Sequence, residues 1–226
     1  ILLPHWAKDG GPEALMYRLS SNDDRLKMKG DIDADQLENN WLTNFRQPAN
    51  KKYDGKLLTD IAGIRNQEPA DALFDLLVEE NLSICTVGLG TNPQTLPAFV
   101  SHPYGMIASD AILLGEYPSP RSYGCFPVVL SEFVRAEQQL SLQEAIRKMT
   151  SFPAQRIGLT DRGLLIDGFK ADIVVFDPTT VRSLATKENP KQFPTGIDYV
   201  LVNGNIVIDK GINSGILGGR AIRRGH

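Results

Sequence analysis

The residues with the best claim to chemistry stand near one another in the chain. Asp110 follows the short apolar run Met106-Ile107-Ala108 and one serine, Ser109. A carboxylate at the end of such a run can take up a proton or orient a metal-held water. The plainer use of a Ser-Asp pair is a loop or helix cap. Arg121 lies eleven positions later, in a stretch holding Gly115, Pro118, Pro120, Gly124 and Pro127. Its planar fork suits a carboxylate, and a surface ion pair is its plainer use. Tyr123 can offer a hydroxyl to a ligand or a ring to a core.

Other chemistries lack their residues. His5, His102 and His226 are the three imidazoles, and they stand at no metal-ligand spacing. His102 precedes Pro103 and reads as a capping or packing residue. Cys85 and Cys125 lie forty residues apart and match no zinc pattern. Gly-x-Gly-x-x-Gly, a phosphate loop and Gly-x-Ser-x-Gly are all missing from the sequence. The residues alone give neither a complete metal site nor a complete nucleophile-and-base set.

Composition narrows the classes further. The 226 residues are 42% apolar and 23% charged, which excludes disordered, collagenous and disulfide-scaffold chains. A net charge of −3 gives no reason to expect nucleic acid or an acidic membrane as partner. Two cysteines fit a reducing compartment, hence the cytoplasm. No apolar run reaches the roughly 18 residues of a membrane span. The opening Ile1-Leu2-Leu3-Pro4-His5-Trp6 has neither an initiator Met nor the basic start of a signal peptide. It reads as the middle of something, so a piece of a longer protein is expected.

The elements that must position these residues can be read in outline. Residues 11–50 are polar and weakly periodic, with short helices expected at 12–19 and 33–39. Pro69 suits a first helical turn, and Ala70, Leu73, Phe74, Leu77 and Val78 form one apolar stripe. Leu82 to Val87 reads as a strand. Asn92 and Pro93 suit the start of a helix with Leu96, Phe99 and Val100 inward. Tyr104 to Ala108 reads as a second strand, so 82–108 is expected to be a βαβ unit with parallel pairing. A loop over 111–127 and a helix from Pro127 to about Gln138 are expected next. Ser141-Leu142-Gln143-Glu144 is a capping box, with Ile146 and Met149 facing inward. A short helical turn is expected at Pro153. Residues 171–177 read as a strand. Tyr199 to Val202 and Asn205 to Ile208 read as a hairpin closed by Asn203-Gly204. The basic tail, Gly218 to Arg224, is expected to be solvated.

Together these residues resemble a known family. Met106-Ile107-Ala108-Ser109-Asp110-Ala111 and Pro120-Arg121-Ser122-Tyr123-Gly124-Cys125-Phe126-Pro127 are similar to the signature of the D-aminoacylases, the N-acyl-D-amino-acid deacylases. Ala145 to Ser151, with Pro153-Ala154, resembles that family's next helix. Gly168 to Asp177 and Val200 to Gly204 are similar to the closing segment of the amidohydrolase superfamily. Leu2-Leu3-Pro4, Trp6 and Gly10-Gly11 resemble the stretch before the family's inserted subdomain. Ser119 stands where the family usually has His, Cys125 where Thr is common, Ala111 where Gly is, and His5 in place of Pro.

The resemblance implies an α/β fold, the C-terminal part of a metal-dependent (β/α)8 TIM barrel plus part of a small β-sandwich. Residues 1–50 would be an inserted polar subdomain, 51–160 the last barrel strands and helices, and 161–226 the C-terminal part of the sandwich. It implies hydrolysis of N-acyl-D-amino acids, with zinc or another divalent metal as cofactor. By the same resemblance, the main metal ligands lie upstream, in a missing half-barrel that is the expected partner. Asp110 would shuttle the proton and touch the metal; Arg121 would hold the substrate carboxylate, with Tyr123 and Ser109 beside it. Two other readings stay open on sequence alone. One is a cyclic amidase of the dihydroorotase or hydantoinase kind, or an N-acyl-D-glutamate or D-aspartate specialist. The other is a non-catalytic half-barrel accessory chain. Whether the protein forms a homo-oligomer is also open.

Overall fold

A computed structural model describes residues 2–88, 92 and 94–222. The chain condenses into two units, the first made of residues 1–90, 112–119 and 187–191, the second of residues 91–111, 120–186 and 192–226.

The first unit is largely helical. Helix α1 (Gly11–Leu19) starts on Gly10, which adopts φ 87, with Pro12 in the first turn. Helix α2 (Asn22–Asp31) is one that polarity hides from sequence reading. Ser21 caps it by accepting from the Asp24 amide, and charge holds it to its neighbour. Helix α3 spans Ala34–Glu38, α4 Leu58–Arg65 and α5 Pro69–Glu79. Arg25 and Lys29 of α2 pair with Asp75 and Asp71 of α5 at 2.7 and 2.6 Å. On α5, Ala70, Leu73 and Phe74 are buried as the apolar stripe predicts, and Leu77 and Val78 pack at the core's edge. The polar stretch before residue 50 shares that core, supplying Leu19, Met28, Leu42 and Phe45.

One buried carboxylate organises the loop beneath. Glu80 is 2% exposed. It accepts from the amides of Arg46 and Gln47 and from Asn50 Nδ2 at 2.6 to 3.2 Å. The two backbone donors would otherwise be orphans ahead of the 3-10 turn Pro48–Tyr53.

The strand expected from Leu82 forms as β2 (Cys85–Gly88), but its partner is not the expected one. It pairs antiparallel with β1 (Asn40–Thr43), Trp41 facing Val87. Residues 104–108 carry no strand among the described residues, so the parallel βαβ pairing is absent there. The reason lies in the neighbours. Among the described residues no strand pairs with 102–108; the carbonyls of 102, 103, 105 and 108 and the amide of 107 bond to helical residues 125, 147 and 148, and the amides of 104 and 105 to His102.

The second unit joins helices to a small sheet. Helix α6 (Leu96–Ser101) follows Asn92, whose side chain accepts from the Gln94 amide; Pro93 lies outside the described residues. Phe99, expected inward, is 74% exposed. Helix α7 (Arg121–Val128) begins six residues before the helix expected at Pro127. Pro120, at φ −53, is already helical, and a first-turn position needs no N–H from it. Pro127 inside the helix cannot donate. The ladder then runs as a π-helix over Val129–Ala136, with the Glu137 amide reaching the Glu132 carbonyl at 2.8 Å. Helix α8 (Leu142–Met149) opens on the capping box, Ser141 Oγ accepting from the Glu144 amide at 3.1 Å. Helix α9 spans Ser151–Arg156.

The rest is an antiparallel meander: β3 (Ile173–Phe176), β4 (Ile197–Val202), β5 (Asn205–Asp209) and β6 (Ile212–Asn213), in that spatial order. Asn203 and Gly204 close the β4–β5 hairpin with φ 49 and 82, the twist this turn requires. The core of this unit gathers Val129, Leu130, Leu140, Ala145 and Val181. No helix among the described residues is long and apolar enough to cross a membrane.

Candidate active site

Ser109, Asp110, Arg121 and Tyr123 all lie in the second unit. Helix α6 ends at His102, because the residue before a proline avoids the helical region. The Gly105 amide donates to the His102 carbonyl at 2.9 Å, and the Tyr104 amide donates to His102 Nδ1 at 3.3 Å. His102 is thus a turn-forming residue, as its place before Pro103 suggests. His5 lies in a short 3-10 turn of the other unit, and His226 is outside the described residues.

From that turn the chain runs through Met106 to Asp110. The Ile107 amide donates to the Lys148 carbonyl at 3.1 Å. The Cys125 thiol donates to the Ala108 carbonyl at 3.7 Å. Burial pushes the Cys125 thiol up, against the pull of Arg121, which favours the protonated form that donates here. Asp110 itself adopts φ 45. That left-handed geometry carries a modest strain for a residue with a side chain, smallest for Asn and Asp.

Arg121 reaches back from the first turn of α7 to the same point. Its Nη2 lies 2.8 Å from Asp110 Oδ2 and 3.4 Å from the Asp110 carbonyl. The structure therefore brings Asp110 and Arg121 together. Both side chains are open to solvent. Ser109 is half-buried. The Tyr123 ring packs edge-on against Phe193, with centroids 5.9 Å apart. Beside the pair runs an apolar groove of about 470 Å³, bordered by Phe99, Met106, Ala108, Arg121, Cys125 and Phe133.

Two contributors escape sequence reading: the thiol of Cys125 and the side chain of Lys148. For the second a signal was available. Ala145 and Lys148 stand three apart, next to the stripe of Ile146 and Met149, and these two are the buried pair of α8. A lysine on an apolar face needs polar partners.

Among the described residues no three His, Cys, Asp or Glu side chains come close enough to hold a metal ion. Asp110 offers a single carboxylate.

Comparisons with known proteins follow the same residues. The amidohydrolase family profile matches residues 33–208. D-aminoacylase of Alcaligenes xylosoxydans xylosoxydans is 43% identical over 190 residues, 81% of this chain and 36% of that protein. A crystal structure of D-aminoacylase superposes with a TM-score of 0.75 at 31% identity, covering 84% of this chain and 38% of the other. N-acyl-D-glutamate deacylase from Bordetella bronchiseptica, solved with zinc and a phosphonate inhibitor, gives 0.69 at 30% identity, covering 77% and 35%. The chain thus spans a little over a third of the length of these relatives. Its α/β fold is a portion of theirs.

Proposed function

The chain belongs to the amidohydrolase family, and from that membership we propose that it is part of an enzyme hydrolysing the amide bond of N-acyl-D-amino acids. The observation that carries the proposal is the meeting of Asp110 and Arg121 at 2.8 Å, beside an apolar groove. An acid and a carboxylate-binding fork at one point are what such a substrate requires. The relatives support the substrate class: they are named for D-aminoacylase and N-acyl-D-glutamate deacylase activity.

In this reading Arg121 binds the free carboxylate of the substrate. A guanidinium carries five N–H donors, more than one carboxylate can use, so pairing with Asp110 does not exhaust it. Asp110 accepts a proton from the attacking water as the oxygen bonds to the amide carbon. It passes that proton to the nitrogen as the C–N bond breaks, releasing a carboxylate and a free D-amino acid. Ser109 and Tyr123 flank the substrate. The apolar groove takes the acyl chain or an apolar side chain.

Zinc, which the solved N-acyl-D-glutamate deacylase holds, is the proposed cofactor, with other divalent ions as substitutes. The described residues do not make a site for it, and Asp110 contributes at most one carboxylate. The remaining ligands are assigned to polypeptide outside this segment, together with the other half of the barrel. In the same reading residues 1–50 are an inserted subdomain, 51–160 the last strands and helices of the barrel, and 161–226 part of the sandwich. The two free cysteines support a cytoplasmic setting.

The test is Asp110→Asn in the complete protein, assayed on a panel of N-acyl-D- and N-acyl-L-amino acids and hydantoins. Turnover of D-substrates should fall at least about a hundred-fold. Near-normal turnover would remove Asp110 from the chemistry, and preference for hydantoins would replace the substrate class.

A further inference from the structure

Lys148 is the one residue of α8 whose side chain contradicts its surroundings. It is 0% exposed, yet it carries an ammonium. A buried ammonium is costly unless its donors are satisfied. Its bonds go to backbone carbonyls: Nζ donates to His102 O and to Gly105 O, the latter at 3.1 Å. Burial pushes its pKa down from the ordinary lysine value, with Glu144 opposing.

The same residue grips the segment a second time. Its own carbonyl accepts the Ile107 amide at 3.1 Å. Its neighbour Arg147 donates from Nη2 to Pro103 O at 3.1 Å. Carbonyls of residues 102, 103 and 105 and the amide of 107 are therefore all held from two adjacent positions on one helix. In a sheet, a flanking strand would do this. Here α8 does it, and the held stretch ends three residues before Asp110. Gly105 shows how tight the arrangement is. A Cβ there would stand 2.8 Å from the Phe99 carbonyl, 3.2 Å from that of His102 and 3.5 Å from Lys148 Nζ.

We propose that Lys148 is a positioning residue for Asp110: it fastens the 102–107 stretch and so fixes where the Asp110 carboxylate meets the substrate. The kinetic half of this inference rests on the hydrolase reading above; the structural half does not. An apolar side chain of equal length would fill the space but leave the carbonyls of His102 and Gly105 unpaired. The segment would then loosen, and a proton carrier misplaced by about 1 Å loses turnover while substrate binding persists.

The experiment uses the complete protein carrying Lys148→Met. Two readouts are taken: kcat and KM on the N-acyl-D-amino acid it hydrolyses best, and hydrogen–deuterium exchange of peptides covering 102–110. Peptides covering Leu58–Glu79 serve as the internal control. The expected result is a fall in kcat of about ten- to a hundred-fold, KM within about two-fold, and faster exchange confined to 102–110. Unchanged exchange overturns the proposal. So does faster exchange with unchanged kcat, or an effect on KM alone. Should the methionine variant fail to fold, Gly105→Ala decides by the same criteria, since a Cβ there crowds the Phe99 and His102 carbonyls and disturbs the turn that Lys148 holds while keeping the ammonium. A wild-type protein inactive on every acylated amino acid sinks the hydrolase reading, and exchange alone then decides whether Lys148 fastens the segment.

Discussion

Replacing Arg121 with methionine removes the guanidinium and keeps an unbranched apolar stem. Two roles for the arginine then predict different losses. As an ion-pair partner it faces Asp110 at 2.8 Å, with side chains 54% and 83% exposed. Pairs that open to water contribute about 0–1 kcal/mol, because solvent screens them and both side chains lose freedom. Stability should therefore change by less than about 1 kcal/mol, roughly 2–4 °C in Tm for a chain of this size. As a substrate clamp it makes charge-assisted hydrogen bonds to a carboxylate, worth about 1.5–3 kcal/mol. At about 1.4 kcal/mol per factor of ten, KM should rise about ten- to a hundred-fold. The assay is steady-state kinetics on an N-acyl-D-amino acid and on its carboxamide analogue, with thermal unfolding alongside. The analogue lacks the charge, so its kcat/KM should hardly respond to the substitution. A large drop in Tm with KM unchanged for the acid would make Arg121 a structural residue and refute the reasoning.

Two further expectations concern the first unit. Glu80→Gln keeps the shape of a buried side chain but replaces one accepting oxygen with a donor, against the amides of Arg46 and Gln47. It should cost about 1–3 kcal/mol, read as a lower urea midpoint, and an unchanged midpoint would show that those amides find other acceptors. Asp75 gives a pH signature. Burial raises its pKa, but the hydrogen bonds from Arg25 and Gln67 and the charges of Arg25 and Arg65 outweigh this and hold it below the usual aspartate value. A folded-state pKa below the unfolded one means the added stability is present above the unfolded value and drains away as pH falls through the folded one. Asp75→Asn should therefore flatten the acid limb of a stability–pH curve, below the ordinary aspartate range, and an unaltered limb would contradict the assignment.

Some of this protein is written locally, and there the sequence sufficed. Asn203-Gly204 can adopt two successive positive φ angles, so the hairpin follows from those two residues. Ser141 caps α8 within one turn of chain by accepting from the Glu144 amide. Pro69 and the apolar spacing after it fix α5 and the face it buries. The sequence around Asp110 and Arg121 also carried the resemblance by which the chain's family could be recognised. Other features depend on what lies alongside in space. That Trp41 faces Val87 in an antiparallel pair joins residues far apart in the chain, and an apolar run does not encode its partner. Helix α2 is docked by the buried Met28 and by charges on α5. Residues 102–108 have the composition of a strand, but the carbonyls of 102, 103, 105 and 108 and the amide of 107 went to Lys148, Arg147 and Cys125, and the amides of 104 and 105 to His102. Only the folded chain could show that, because a backbone hydrogen bond is decided by which group stands within 3 Å or so, and periodicity records only which face turns inward.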